Sequence, residues 1–107
     1  MKLWIDAVRP ASLGYNCAKS VNEAKKLIMD YELMYKVSGR KSYYKIELID
    51  IDHDAGNYAS DGGDYIKLLN WLEETGRNYP IRIHSMNPVG AQNMRAIIQK
   101  NGWKEVK

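Results

Sequence analysis

The chain has 107 residues, of which 45% are hydrophobic and 27% charged, with a formal net charge of +3. This is one domain's worth of chain, residues 1–107, too short for a second core and too evenly charged for a polybasic nucleic-acid arm. Cys17 is the only cysteine, which excludes an intramolecular disulfide and thiolate zinc motifs. No apolar run of 18 residues occurs and no leader-like apolar segment opens the chain, so no membrane span and a cytoplasmic location are expected.

Residues 1–5 read as a first strand, closed by Asp6 and broken by the Arg9-Pro10 and Gly14 punctuation. Residues 15–18 suit a short second strand. Ser20-Val21-Asn22-Glu23 is a capping box, a hydroxyl for the N3 amide with a carboxylate reaching back. It predicts a helix to about Tyr35, with Ala24, Leu27, Ile28 and Tyr31 on one stripe. A basic loop over 37–42 follows, then a central strand over 43–51. Residues 54–63 form a glycine-rich polar loop of a length that is often functional. Residues 64–74 read as a helix with Ile66, Leu69 and Leu72 inward, and Ile81-Arg82-Ile83 as the next strand. Asn87-Pro88 is a strong helix start, an Asn cap before Pro at the first helical position. That helix buries Met94, Ile97 and Ile98 and ends at Asn101-Gly102. Residues 103–106 allow a short final strand. Strands alternating with amphipathic helices predict an α/β three-layer sandwich with a parallel sheet of four or five strands.

Three strand ends then carry the chemistry. Asp6, Asp52-His53-Asp54 and His84-Ser85 all follow apolar runs, at the edge where open α/β sheets bind ligands. Asp52 and Asp54 lie two apart, so in an extended segment they share one side and His53 takes the other. Clustered carboxylates repel unless a cation or proton relieves them. Asp6, Asp52 and Asp54 are therefore candidates to hold a divalent cation, Mg²⁺ or Mn²⁺, together with a substrate phosphate. His53 and His84, with Asp54, are the candidates for proton transfer. Arg9 could clamp a phosphate, and Ser85, Asn87 and the amides near Gly90 surround a helix start suited to anions. Each residue also has an ordinary reading: Asp caps turns, Asn87 caps its helix and Arg9 pairs with Asp. Trp4, Trp71 and Trp103 are expected in the core.

Lys2-Leu3-Trp4-Ile5-Asp6-Ala7-Val8-Arg9-Pro10, Asp52-His53-Asp54-Ala55-Gly56 and His84-Ser85-Met86-Asn87-Pro88-Val89-Gly90 with Asn93-Met94 resemble the cyclic-phosphate processing receiver domain family. That family reads LWIDDxRP, LDHDLG and HSxNPxGxxNM in this order. The resemblance implies a compact relative of the receiver/flavodoxin-like fold. It also implies a role on nucleotides or RNA ends bearing a cyclic phosphate. On that footing the leading expectation is a phosphoesterase with such a substrate as its partner. The alternative is a non-catalytic module binding a nucleotide or a protein, and the third reading is a phosphorylatable receiver. Ala7 stands where the family has a second Asp, which removes one carboxylate from any cation site. The lysine of ordinary receivers has no counterpart, which sets the third reading last.

Overall fold

The computed structural model describes residues 1–107. Four parallel strands, β1 (Lys2–Ile5), β2 (Tyr15–Ala18), β3 (Leu48–Ile51) and β4 (Ile81–Ile83), form one sheet in the order β2-β1-β3-β4. The helices are α1 (Val21–Val37), the single turn α2 (Lys41–Tyr44), α3 (Ile66–Glu74) and α4 (Pro88–Asn101). A 3-10 turn, Gly56–Ser60, lies in the loop after β3. No helix is long and apolar enough to cross a membrane. The α/β class and the four-stranded parallel sheet agree with the expectation from the strand and helix pattern.

The capping chemistry acts as the residues suggest. Ser20 Oγ accepts the Glu23 amide at 3.0 Å, and Glu23 reaches back to the Lys19 amide at 3.0 Å. Asn87 Oδ1 accepts the Gly90 amide at 2.9 Å, and α4 ends on Gly102 at φ 67°, a left-handed position that glycine adopts without strain. Two boundaries differ. Tyr43 and Tyr44 sit in the α2 turn instead of opening the central strand, which starts at Leu48. There the ring of Tyr44 meets those of Tyr31 and Tyr43 edge-on, and this packing outweighs the strand preference of aromatic residues. At the C-terminus the expected strand is reduced to one parallel bridge, Ile81 to Glu105.

The two faces of the sheet differ in kind. Leu3, Ile5, Ile49, Ile51 and Ile81 are fully buried and share one core with Ile28 of α1, Leu69 of α3 and Met94 of α4. The connections from β2 to β3 and from β3 to β4 advance across the sheet in the same sense. Right-handed crossovers of that kind place their helices on one face. Between β1 and β2, residues 6–14 contain no helix, so the second face lacks the helical cover of a full sandwich. The register sets Cys17, Trp4, Asp50 and Arg82 in a row across that second face. Of these Cys17 and Arg82 are exposed and Trp4 is half-buried. The next row on that face, by the two-residue period of a strand, holds Asp6, Asp52 and His84. Their amides continue the ladder to Ala18, Ile5 and Ile51.

Candidate functional site

Asp6 is the hub at the end of β1. Its Oδ1 accepts the amides of Val8 and Arg9, both at 2.9 Å, which turns the chain sharply after the strand. Its Oδ2 meets Arg9 Nε and His84 Nε2, each at 3.0 Å. Burial opposes ionisation of Asp6, but the two amides, the His84 ring and the Arg9 guanidinium outweigh it and hold its pKa below the ordinary carboxylate value of 3.8. A lowered folded-state pKa contributes stability that is fully present above the unfolded value and is lost as pH falls through the folded one. The stability advantage of wild type over Asp6→Asn should therefore be constant above about pH 5 and shrink below about pH 4. Urea denaturation of both proteins across that range checks this, and a constant difference down to pH 2 would contradict it.

His84 is built into the scaffold. Its Nδ1 lies 2.6 Å from Asp50 Oδ1 and its Nε2 3.0 Å from Asp6 Oδ2. Both facing atoms are carboxylate oxygens, so each contact calls for a ring N–H. The ring stacks on Trp4 with centroids 3.9 Å apart and planes 6° from parallel. Asp50 is wholly buried and also receives Tyr15 Oη at 3.2 Å and Arg82 Nη1 at 3.3 Å. Trp4, expected in the core, stands instead on the open sheet face, with its Nε1 donating to the Arg9 carbonyl at 2.9 Å. Asp50, Tyr15 and Arg82 were not among the candidates. A carboxylate in mid-strand was the available signal, because a charge so placed needs partners from neighbouring strands.

His53 has the opposite surroundings, as the period of two dictates. It leaves β3 toward the helical side, and its ring lies against α4 at Gly90. A Cβ on Gly90 would fall 2.4 Å from His53 Cγ. Gly90 thus makes room for the imidazole, and the space beside it is taken by the ring of His53. The Gly90 amide is also taken by Asn87. Gly90→Ala should cost about 1–3 kcal/mol through overpacking, read as a shift in denaturation midpoint. A neutral Gly90→Ala variant would mean that the ring does not rest there. His53 Nδ1 lies 2.8 Å from Asp54 Oδ1. Its Nε2 has no protein partner, and no buried side-chain nitrogen is left unsatisfied, so this atom meets solvent.

A cleft of about 400 Å³ opens at this edge, lined by Asp6, Val8, Arg9, Asp52, Asp54, Met86 and Asn87. It brings together the three candidate carboxylates with Arg9 and Asn87. His53 stands beside it through Asp54, while His84 lies behind Asp6. Ser85 Oγ accepts the Asn87 amide at 3.0 Å and serves the turn into α4. Arg9 spans the floor: Nε binds Asp6, and Nη2 reaches Asp52 Oδ1 at 3.3 Å and the His84 carbonyl at 2.9 Å.

The expected Mg²⁺ or Mn²⁺ does not fit this arrangement. The Arg9 guanidinium lies between Asp6 and Asp52, Asp54 faces His53, and no three His, Cys, Asp or Glu side chains group to hold an ion. Arg9 supplies the positive charge that a cation would bring. Removing it should create affinity for Mg²⁺: in calorimetric titration, Arg9→Ala should bind the ion and wild type should not. Equal affinity in the two would show that the guanidinium does not occupy the cation position.

A parallel sheet with acidic and imidazole groups at the C-terminal edge of its strands, helically crossed over, defines a receiver-like α/β domain. Residues 1–100 match the family model of the cyclic-phosphate processing receiver domain, and the chain belongs to that family. It has no match among curated proteins or among solved structures.

Proposed function

We propose that the cleft is a phosphoesterase site that opens a cyclic phosphate carried by a nucleotide or an RNA end, without a metal ion. The observation that carries this reading is the pairing of unsatisfied donors with an oriented imidazole at one edge. Arg9 Nη1 and Asn87 Nδ2 make no hydrogen bond within the chain, and both residues line the cleft. They are suited to two phosphate oxygens. His53, held by Asp54, presents Nε2 as the proton-transfer atom, the arrangement of a base aligned by a carboxylate.

In this mechanism water adds to phosphorus as its proton passes to His53 Nε2. The ring P–O bond breaks with its electron pair on the departing alkoxide, which takes a proton from solvent. His53 then returns its proton to solvent. Four carboxylates, Asp6, Asp50, Asp52 and Asp54, face Arg9, Arg82 and the two imidazoles. With four carboxylates against two guanidinium groups the site has no positive surplus, so it tolerates the single charge of a cyclic diester better than the nearly double charge of the monoester product. That difference favours release after opening.

The test is ³¹P NMR of a 2′,3′-cyclic nucleotide with the protein in EDTA. Catalytic conversion of the cyclic signal to a monoester signal is expected. Because His84 has both nitrogens engaged, only one imidazole is left for proton transfer, and this favours a second reading as a binding module. Saturable ligand binding without conversion, with or without added cation, would select that reading.

A further inference from the structure

A larger cavity, about 610 Å³, lies at the opposite, N-terminal edge of the sheet. It opens between the C-terminal half of α1, the α2 turn, the entry to β3 and the α3–β4 connection. Its volume is within the range of small-molecule sites. Tyr35, Tyr44 and Tyr79 contribute aromatic surface, with Ile46 and Pro80 as apolar neighbours.

Charge identifies the class of occupant. The one carboxylate on the lining, Glu32, is already satisfied: Arg77 grips it through Nε at 2.9 Å and Nη2 at 2.8 Å, and Tyr79 donates its hydroxyl. Arg77 is held from behind by Trp71, its guanidinium carbon 4.2 Å from the ring centroid. Lys36 and Lys45 also line the cavity, are exposed, and form no ion pair. With Glu32 and Arg77 cancelling, the lining therefore carries two ammonium charges in excess beside tyrosine rings, Lys36 also acting on Glu32 through space. Rings offer stacking and ammonium groups offer a counter-charge, the combination that holds a planar aromatic anion.

We propose that this cavity binds a planar aromatic ring bearing a phosphate, of about the size of a nucleoside monophosphate, independently of the cleft at the other edge. Tyr35, Lys36, Tyr44 and Lys45 are then one half of the ligand site, and the Glu32–Arg77 pair is its rigid wall.

Amide chemical-shift titration with adenosine monophosphate tests this, with adenosine and inorganic phosphate as separate arms. Saturable shifts at Tyr35, Tyr44 and Asn78 are expected, at least tenfold tighter for the nucleotide than for either part. The double change Lys36→Glu with Lys45→Glu should weaken binding at least tenfold. Lys36→Gln with Lys45→Gln should act in the same direction with less risk to folding. Arg9→Ala, which strips a phosphate donor from the cleft at the other edge, should leave this binding unchanged, and this separates failure of the cavity site from failure of the cleft reading. Absence of saturable shifts at millimolar nucleotide, shifts that survive both double changes, or shifts confined to the Arg9 cleft would overturn the proposal. So would phosphate alone binding as tightly, or an oligonucleotide binding far more tightly with shifts spreading beyond the cavity.

Discussion

Replacing His84 with alanine is expected to destabilise the domain by about 3–5 kcal/mol, the cost of stripping a partner from buried charges. Asp50 is wholly buried and the Asp6 side chain is 1% exposed, so neither carboxylate can turn to water. The imidazole is the one group that bridges them, and its loss also removes the stacked neighbour of Trp4. A large part of the loss should be recovered when Asp50→Asn is added, since the amide needs no counter-charge. Chemical denaturation of the single and double variants checks both statements. A loss under about 1 kcal/mol would mean that the imidazole bridge holds little of the fold.

The second large effect is kinetic. His53→Ala should lower turnover of a cyclic phosphate by about 10²–10⁴-fold, the usual worth of a general acid or base. Binding of substrate should change far less, because proton transfer matters in the transition state and the phosphate is held by Arg9 and Asn87. Stability should fall only modestly, since His53 is replaced by a smaller group beside Gly90. Steady-state kinetics over pH 5–9 with both histidine variants separates the two roles. A His53→Ala enzyme with full activity would remove the imidazole from the mechanism.

The two histidines illustrate what a sequence of this kind makes legible. That Asp6, Asp52, His53 and His84 end three parallel strands follows from apolar runs and their spacing, and with parallel strands their convergence on one edge follows too. The alternation of faces also separates Asp52 from His53. What it leaves open is which face lacks helices. The nine residues between β1 and β2 carry no amphipathic helix, and this leaves Trp4, Asp50 and Arg82 on an open sheet face. Asp50 reads as an anomaly in a buried strand until Tyr15, Arg82 and His84 arrive from three other places in the chain. Local pattern does not encode such long-range pairing. Arg9 is a similar case. Its spacing from Asp6 allows either a phosphate clamp or an ion pair, and only the third dimension shows the guanidinium standing between two carboxylates. Gly90 is the plainest example, since a glycine at a helix start suits a ligand and a neighbouring ring equally well until the ring of His53 is seen against it.

The division of labour between the histidines is the centre of this account, and their ring ¹⁵N and ¹H NMR signals report it directly. A cyclic nucleotide analogue that resists hydrolysis, added to the protein in EDTA, should move the ring signals of His53. Those of His84, enclosed by Asp6, Asp50 and Trp4, should stay in place. Movement of the His84 signals with those of His53 unchanged would place the chemistry at His84 and contradict its assignment to His53, and a response from neither would place the ligand outside this cleft.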